Sequence, residues 1–346
     1  MAKETMQELL KRINKEAKEE ILTEGLPEYA YKRIPFSSLR MNYCTYGGIP
    51  VGKITEFYGD FHSGKTTTAL DIVANYQHGQ DGRKVLYVDA ENTLDSEWAK
   101  KLGVNLEETY IVQPKSQSAE EIFQIICDAI ETDEIGLWVL DSIGVLVSKQ
   151  EWEKDFDQVT YGGISKPLTS FSKKVEGLMA RYHCTGVAIN QIRDKIGTMF
   201  PMTDTPGGRA FKHVTSVRME FRKGKFIDAD GNELSSNAEN PAGNIVLMEM
   251  TKNKTCKPDR RKGHYKLYYD TGIDYIGDII DLGILYGIID KRGAWYSILD
   301  VDSGEVLVEK IQGQSRLVEF LLDDDPDCVK VLKNVEDQIQ KKMQEN

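Results

Sequence analysis

The stretch YGDFHSGKTTTAL, residues 58–70, places four residues between Gly59 and Gly64 and follows the second glycine directly with Lys65 and Thr66. Such a loop bends tightly and turns backbone N–H groups toward phosphate oxygens, while the helix that follows aims its N-terminus at the same point. Lys65 suits the β- and γ-phosphates, and the Thr66 hydroxyl suits Mg²⁺. At ordinary composition the pattern arises by accident in about one chain in a hundred of this length; here it also follows an apolar run and opens a helical one. Further along, LWVLDS ends an apolar run in Asp141, suited to support a magnesium ion. The next residue is Ser142, which excludes a catalytic base placed directly after that acid. Glu91, in VLYVDAE, could orient an attacking water if its strand neighbours the loop strand. Asn190 and Gln191 close VAINQ and add a third polar strand end that could sense the γ-phosphate.

These groups need a scaffold that brings strand ends together. Ile54–Tyr58, Val85–Asp89, Leu137–Asp141 and Gly186–Asn190 read as continuous apolar strands of the kind buried on both faces of a parallel sheet, with helical stretches between them. Ser216–Arg222 and Ile245–Lys252 alternate and carry more charge, which suggests antiparallel or edge additions. The fold class is therefore α/β, a mainly parallel sheet flanked by helices. Residues 1–37 form an N-terminal segment, 38–275 the core and 276–346 a small α+β C-terminal lobe. In the first segment Met6, Leu9, Leu10, Ile13, Ala17 and Ile21 recur at helical spacing over residues 3–22, and a lone helix of this kind must dock on its own core or on a neighbouring subunit.

With 346 residues and 40% hydrophobic residues the chain has enough material for one large α/β domain with attachments. Five cysteines at wide spacing suggest neither a disulfide framework nor a zinc site. No apolar run is long enough to span a membrane, and the charged N-terminus lacks a signal-peptide h-region, so a cytoplasmic protein without a membrane partner is expected. A net charge of −11 speaks against nucleic acid only on average. Basic residues gather between Arg193 and Lys225, where Arg193, Lys195, Arg209, Lys212, Arg218 and Arg222 are prominent, and again from Lys252 to Lys262. Local charge matters more than the total, because screening confines its reach to roughly 10 Å at moderate salt.

Taken in order, GGIPVGKITEFYGDFHSGKTTTAL, VLYVDAENTLDSEWAKKLGV, VLDSIGVL, INQIRDKIGTMF, TPGGRAFKHVTSVR, KNKTCKP and GIDYIGDIIDLGI with GAWYS resemble the bacterial RecA-type recombinases over residues 47 to about 300. The resemblance implies a RecA-like nucleotide-binding core and an ATP-dependent recombinase. Such a protein forms helical filaments on single-stranded DNA, searches homologous duplex DNA and exchanges strands, in DNA repair and the SOS response. ATP and Mg²⁺ are the implied cofactors, and single-strand-binding or loader proteins are candidate partners. By resemblance, the loop Gly59, Asp60, Phe61, His62, Ser63, Gly64, Lys65, Thr66 and Thr67 holds the phosphates, Thr66 and Asp141 serve the metal, and Glu91 activates water. Asp95 and Trp98 hold the adenine, with tryptophan where the family usually has a stacking tyrosine, and Tyr269 is kept at the interface. Gln191 couples the γ-phosphate to a DNA loop from about Ile192 to Gly208. There Arg193 would meet phosphate, Ile196 would wedge between bases, and Gly207 and Gly208 would offer backbone amides, with Arg209 following. The other DNA loop is DQVTYGGISKP, with Tyr161, Gly162, Gly163 and Lys166, followed by Lys173. Lys252 and Lys254 match a pair that reaches a neighbouring subunit's γ-phosphate.

The sequence departs from the family at several positions. Lys212-His213 replaces Lys-Phe in the interface relay, Asp270 replaces a glycine, and Lys166, Lys173 and Lys174 stand for arginines, which keeps charge but loses bidentate geometry. Pro167 is acceptable in a first helical turn. The N-terminal segment diverges most, and the long acidic tail of some members is missing, a degree of divergence that fits a phage-encoded copy or a bacterial paralogue. A ring-forming DNA helicase with the same core and a non-catalytic mediator that only binds ATP are the competing classes.

Overall fold

The computed structural model describes residues 4–18, 32–79, 81–154, 163–194 and 203–345. The chain divides into a short unit, Met1–Lys32, and a large one, Arg33–Asn346. Among its described residues the short unit holds one helix, α1 (Met6–Ala17), started by a capping box in which Thr5 Oγ1 accepts from Glu8 N and the Glu8 carboxylate accepts from Thr5 N. The stripe read over residues 3–22 is thus helical from Met6 to Ala17, where Lys18 turns left-handed, and no residue of this helix is buried; Ile21 lies outside the described residues.

The large unit opens with β1 (Arg33–Ile34), α2 (Leu39–Thr45) and β2 (Ile49–Pro50), the two short strands pairing antiparallel. Strands and helices then alternate: β3 (Ile54–Gly59), α3 (Lys65–His78), β4 (Lys84–Asp89), α4 (Ser96–Lys101), β5 (Thr109–Val112), α5 (Ala119–Glu131), β6 (Ile135–Asp141), α6 (Lys149–Trp152), α7 (Ser165–Tyr182) and β7 (Thr185–Gln191). A two-residue pair, β8 (Arg193–Asp194) with β9 (Thr203–Asp204), precedes α8 (Gly208–Val214), β10 (Val217–Ile227), β11 (Gly243–Asn253), β12 (Lys262–Tyr268) and β13 (Gly272–Ile273). The C-terminal part consists of α9 (Tyr275–Leu285), β14 (Ile289–Arg292), β15 (Trp295–Leu299), β16 (Val306–Gln312), α10 (Gln314–Leu321) and α11 (Pro326–Glu345).

One nine-stranded sheet has the order β13-β12-β11-β10-β3-β7-β6-β4-β5. Neighbours from β10 to β5 run parallel, and those from β10 to β13 run antiparallel. The strand starting near Ser216 is therefore no edge addition: β10 lies parallel beside the loop strand β3 and also carries the antiparallel extension. Of the charges in the stretch read there, Arg218 and Glu220 are half-buried in the sheet and Arg222 is exposed, and the strand runs on through exposed Lys223 and Lys225. The parallel strands β3 and β6 are buried along their whole length, as expected of a sheet covered on both faces.

Each face has its own core. Phe57, Ile72, Val139 and Phe221 lie on the α3 side. Trp138, Ile126, Phe171 and Val175 lie on the side of α5 and α7. There Phe123 stacks on Phe171 with centroids 4.5 Å apart, a contact worth roughly 0.5–1.5 kcal/mol beyond its buried area. Gly186 makes room for Trp138, since a Cβ there would lie 2.2 Å from the indole. The C-terminal part builds a third core around Ile279, Ile298, Leu317 and Val335, and Leu39 of α2 packs into it. Its small antiparallel sheet has the order β14-β15-β16. Among the described residues no helix is long and apolar enough to cross a membrane.

Candidate nucleotide site and DNA-facing loops

The parallel strands end on one edge of the sheet, around a cavity of 590 Å³. Its floor is the loop between β3 and α3. Gly59 leaves β3 where a Cβ would meet the Phe221 carbonyl oxygen at 2.0 Å, and Gly64 caps α3 at φ 91°, so both positions exclude a side chain. Phe61, His62, Ser63, Gly64, Lys65, Thr66 and Thr67 line the cavity; Gly59 and Asp60 support the loop from behind. Lys65 Nζ donates to the carbonyl oxygens of Gly59 and Asp60 and to Ser63 Oγ, and burial lowers its pKa. A phosphate would take this ammonium over from acceptors of the loop itself.

Thr66 Oγ1 donates to Asp141 Oδ2 at 2.8 Å, and Tyr87 OH donates to the same oxygen at 3.0 Å. Burial pushes Asp141 up to about 6, against the pull of these two donors. A hydroxyl and a carboxylate side by side are hard oxygen donors of the kind magnesium takes, so the residues present fit that ion. Among the described residues no cluster of three or more histidines, cysteines or acids forms a separate metal site.

Glu91 arrives by a different route from the one read in the sequence. Its strand β4 does not neighbour β3; β7 and β6 lie between them. The residue sits in the turn beyond the end of β4, and it reaches the cavity because that turn folds back over β6. Ser142 Oγ donates to Glu91 Oε1 at 2.6 Å and Gln191 Nε2 to the same oxygen at 2.8 Å. Two donors on one oxygen fix the carboxylate and leave Oε2 for other work. Ser142, noted in the sequence only for not being an acid, thus holds the one acid that faces the cavity near Gln191.

Trp98 and Tyr269 also line the cavity, together with Asn244, Leu267 and Lys223. Trp98 Nε1 donates to Thr67 Oγ1, and Tyr269 OH donates to Asn244 Oδ1 at 3.0 Å. Asp95 does not line the cavity: its Oδ1 caps α4 by accepting from Glu97 N and Trp98 N, which sets the helix that carries Trp98. Asn244 and Lys223 are missed by sequence reasoning because they come from strands β11 and β10, which no motif links to the loop.

Of the residues that the resemblance assigns to DNA contact, Tyr161, Gly162 and Ile196 lie outside the described residues. Gly163 precedes α7, Lys166 and Pro167 sit in its first turn and Lys173 lies further along it. Arg193 Nη2 donates to the Gly144 carbonyl at 2.7 Å. Gly207 and Gly208 start α8, with Arg209 in the same turn. Gly207 is buried and has a packing reason, since φ is 106° and a Cβ would lie 2.3 Å from Leu168 Cδ2 of α7. Lys252 and Lys254 are not in the cavity of their own chain. Lys252 Nζ donates to the carbonyls of Lys212, His213 and Thr215, and Lys254 Nζ to that of His213, so both cations cap the C-terminal end of α8. Burial, with Lys254 and Arg218 nearby, brings Lys252 down to about 8.

A glycine-cornered phosphate loop, a hydroxyl–carboxylate pair and a glutamate held over the same cavity define an ATPase of the P-loop class built on a mainly parallel sheet. The profile described as RecA N-terminal domain matches residues 4–274, and the one described as RecA C-terminal domain matches residues 277–344. The chain is 36% identical over 278 residues to Protein RecA of Paracoccus denitrificans, covering 80% of this chain and 72% of that one. It is 34% identical over 303 residues to Protein RecA of Ruminococcus albus, covering 87% and 71%. The chain belongs to the RecA family. It is an ATP-dependent recombinase and a DNA-dependent ATPase that binds nucleotide and DNA and associates with itself; filaments and strand exchange are typical of the family. That assignment decides between recombinase and ring helicase in favour of the first.

Proposed function

We propose that the cavity binds ATP with Mg²⁺ and hydrolyses it at a boundary between subunits. The observation that carries this reading is the convergence of Lys65, Thr66, Asp141, Glu91 and Gln191 on one cavity from separate strand ends. Magnesium would be held by Thr66 with Asp141 behind it, and supplies neutralisation of the β- and γ-phosphate charge. Lys65 leaves the loop carbonyls for the phosphates. Glu91 Oε2 orients the attacking water and takes its proton, while Ser142 keeps the carboxylate from rotating away. Gln191 exchanges Glu91 for the γ-phosphate, and because it ends β7 it moves the start of the second DNA loop. Trp98 and Tyr269 hold the base.

On the DNA side, Gly163, Lys166 and Lys173 with Tyr161 and Gly162 form one contact set, and Arg193, Ile196, Gly207, Gly208 and Arg209 the other. Lys252 and Lys254 serve the neighbouring subunit's γ-phosphate from the end of α8. Boundaries at residues 37 and 275 separate the docking segment, the ATPase core and the C-terminal lobe. Work in the cytoplasm, on single-stranded and then homologous duplex DNA with single-strand-binding or loader proteins, completes the reading.

The experiment is ATP hydrolysis with and without single-stranded DNA, on the wild type and on Lys254→Ala. DNA stimulation that the substitution abolishes is the expected result. A rate indifferent to Lys254 would remove the composite site.

A further inference from the structure

β3 carries a charge where a sheet interior has none to spare. Glu56 is fully buried, and its register partner on β10 is Arg218. Arg218 Nε donates to Glu56 Oε2, its Nη2 donates to Thr205 Oγ1 at 3.1 Å, and its guanidinium lies 4.5 Å from the centre of the Tyr58 ring. Asn190 of β7, also fully buried, donates from Nδ2 to Glu56 Oε1 and to the Pro206 carbonyl, both at 3.0 Å, while its Oδ1 accepts from Gln191 N. One cluster therefore joins three things: the strand that delivers the phosphate loop, the residue before Gln191, and Thr205–Pro206, where the second DNA loop returns to the core.

A buried pair of this kind is weak evidence for stability, because desolvation consumes much of the attraction. Its value here is in position. Gln191 governs only the outgoing end of the loop; the returning end is tied through Thr205 and Pro206 to Glu56, three residues before Gly59. We propose that Glu56, Arg218 and Asn190 form a latch that positions the returning end of the second DNA loop, and that part of the linkage between nucleotide and single-stranded DNA runs through it. The inference rests on the reading of this loop as a DNA contact. A shift of β3 on phosphate binding is passed to Pro206 by Asn190 and to Thr205 by Arg218, without any contact between those residues and the nucleotide.

Linkage supplies the test, because coupling between two ligands is reciprocal and typically amounts to about 5- to 150-fold. The affinity of a fluorescent oligothymidylate is measured with a non-hydrolysable ATP analogue and with ADP, and the affinity of the analogue with and without the oligonucleotide. Thr205→Val keeps the shape and removes the acceptor of Arg218. The expected result is a loss of at least threefold in both ratios, by the same factor, in a protein with the wild-type melting curve. A merely structural role would lower the melting temperature and leave the ratios as they are, which overturns the latch. Should Thr205→Val not fold, Arg218→Lys keeps the charge opposite Glu56 but cannot also reach Thr205, and is read the same way. A wild type whose DNA affinity ignores the nucleotide overturns the underlying reading and the latch with it; a wild type with linkage that both variants retain overturns the latch alone.

Discussion

The two ends of the nucleotide cavity are built on different terms. At the phosphate end Lys65 and Asp141 are buried, and Lys65, Asp141 and Glu91 already have partners inside the chain. At the proposed base end Tyr269 is 42% exposed, and the indole of Trp98, half-buried against the core, makes one long hydrogen bond, to Thr67 Oγ1 at 3.4 Å. On the proposed assignment, the difference teaches that the groups for the chemistry are held in place before any ligand contact, while the base would meet side chains with fewer polar ties. Stabilising charge that develops during a reaction requires groups that need no reorganisation, whereas stacking on a base tolerates some play.

That contrast can be broken most severely at Lys65. Lys65→Ala is expected to reduce nucleotide binding below detection in calorimetry, with the fold intact by circular dichroism; binding within a few-fold of wild type would show that the loop backbone alone suffices. Glu91→Gln keeps the shape and the acceptor for Ser142, so ATP and DNA binding should persist while single-turnover hydrolysis falls by about 10²–10⁴. Normal hydrolysis would take the water-orienting role away from Glu91. Asp141→Asn is expected to raise the Mg²⁺ concentration for half-maximal ATPase by about 10- to 100-fold, as for residues that orient a metal ligand, so a given amount of chelator should inhibit the variant more than the wild type. Smallest is the base end: Trp98→Ala should weaken ATP by about tenfold at most, whereas Trp98→Tyr should be nearly neutral. A larger loss at Trp98 than at Asp141 would reverse the comparison.

How much could be read from the sequence follows the same division. The phosphate loop, the strands around it and the acid at Asp141 are local patterns, set by glycine geometry and continuous apolar runs, and these are visible in one dimension. Strand order is not: β10 sits beside β3 although 162 positions separate Glu56 from its register partner Arg218, and only the fold shows that Glu91 reaches the cavity over two intervening strands. Lys262–Tyr268 escaped because Lys262, His264 and Lys266 interrupt its apolar pattern, and Thr109–Val112 because it is only four residues long. Ser142 and Asn244 escaped for another reason. Their work is to hold a neighbour, and a hydroxyl or amide carries no sequence signature for that.

Leu168 fills the space that a side chain at position 207 would need, so α7 and α8, the helices that follow the two proposed DNA loops, are wedged together at their first turns. For anyone wishing to graft one of these loops from a relative, the two stems are a single part. A transplanted second loop must keep glycine at 207, because φ of 106° strains any side chain there whatever the space, and a smaller residue at 168 would relieve the clash without repairing the backbone.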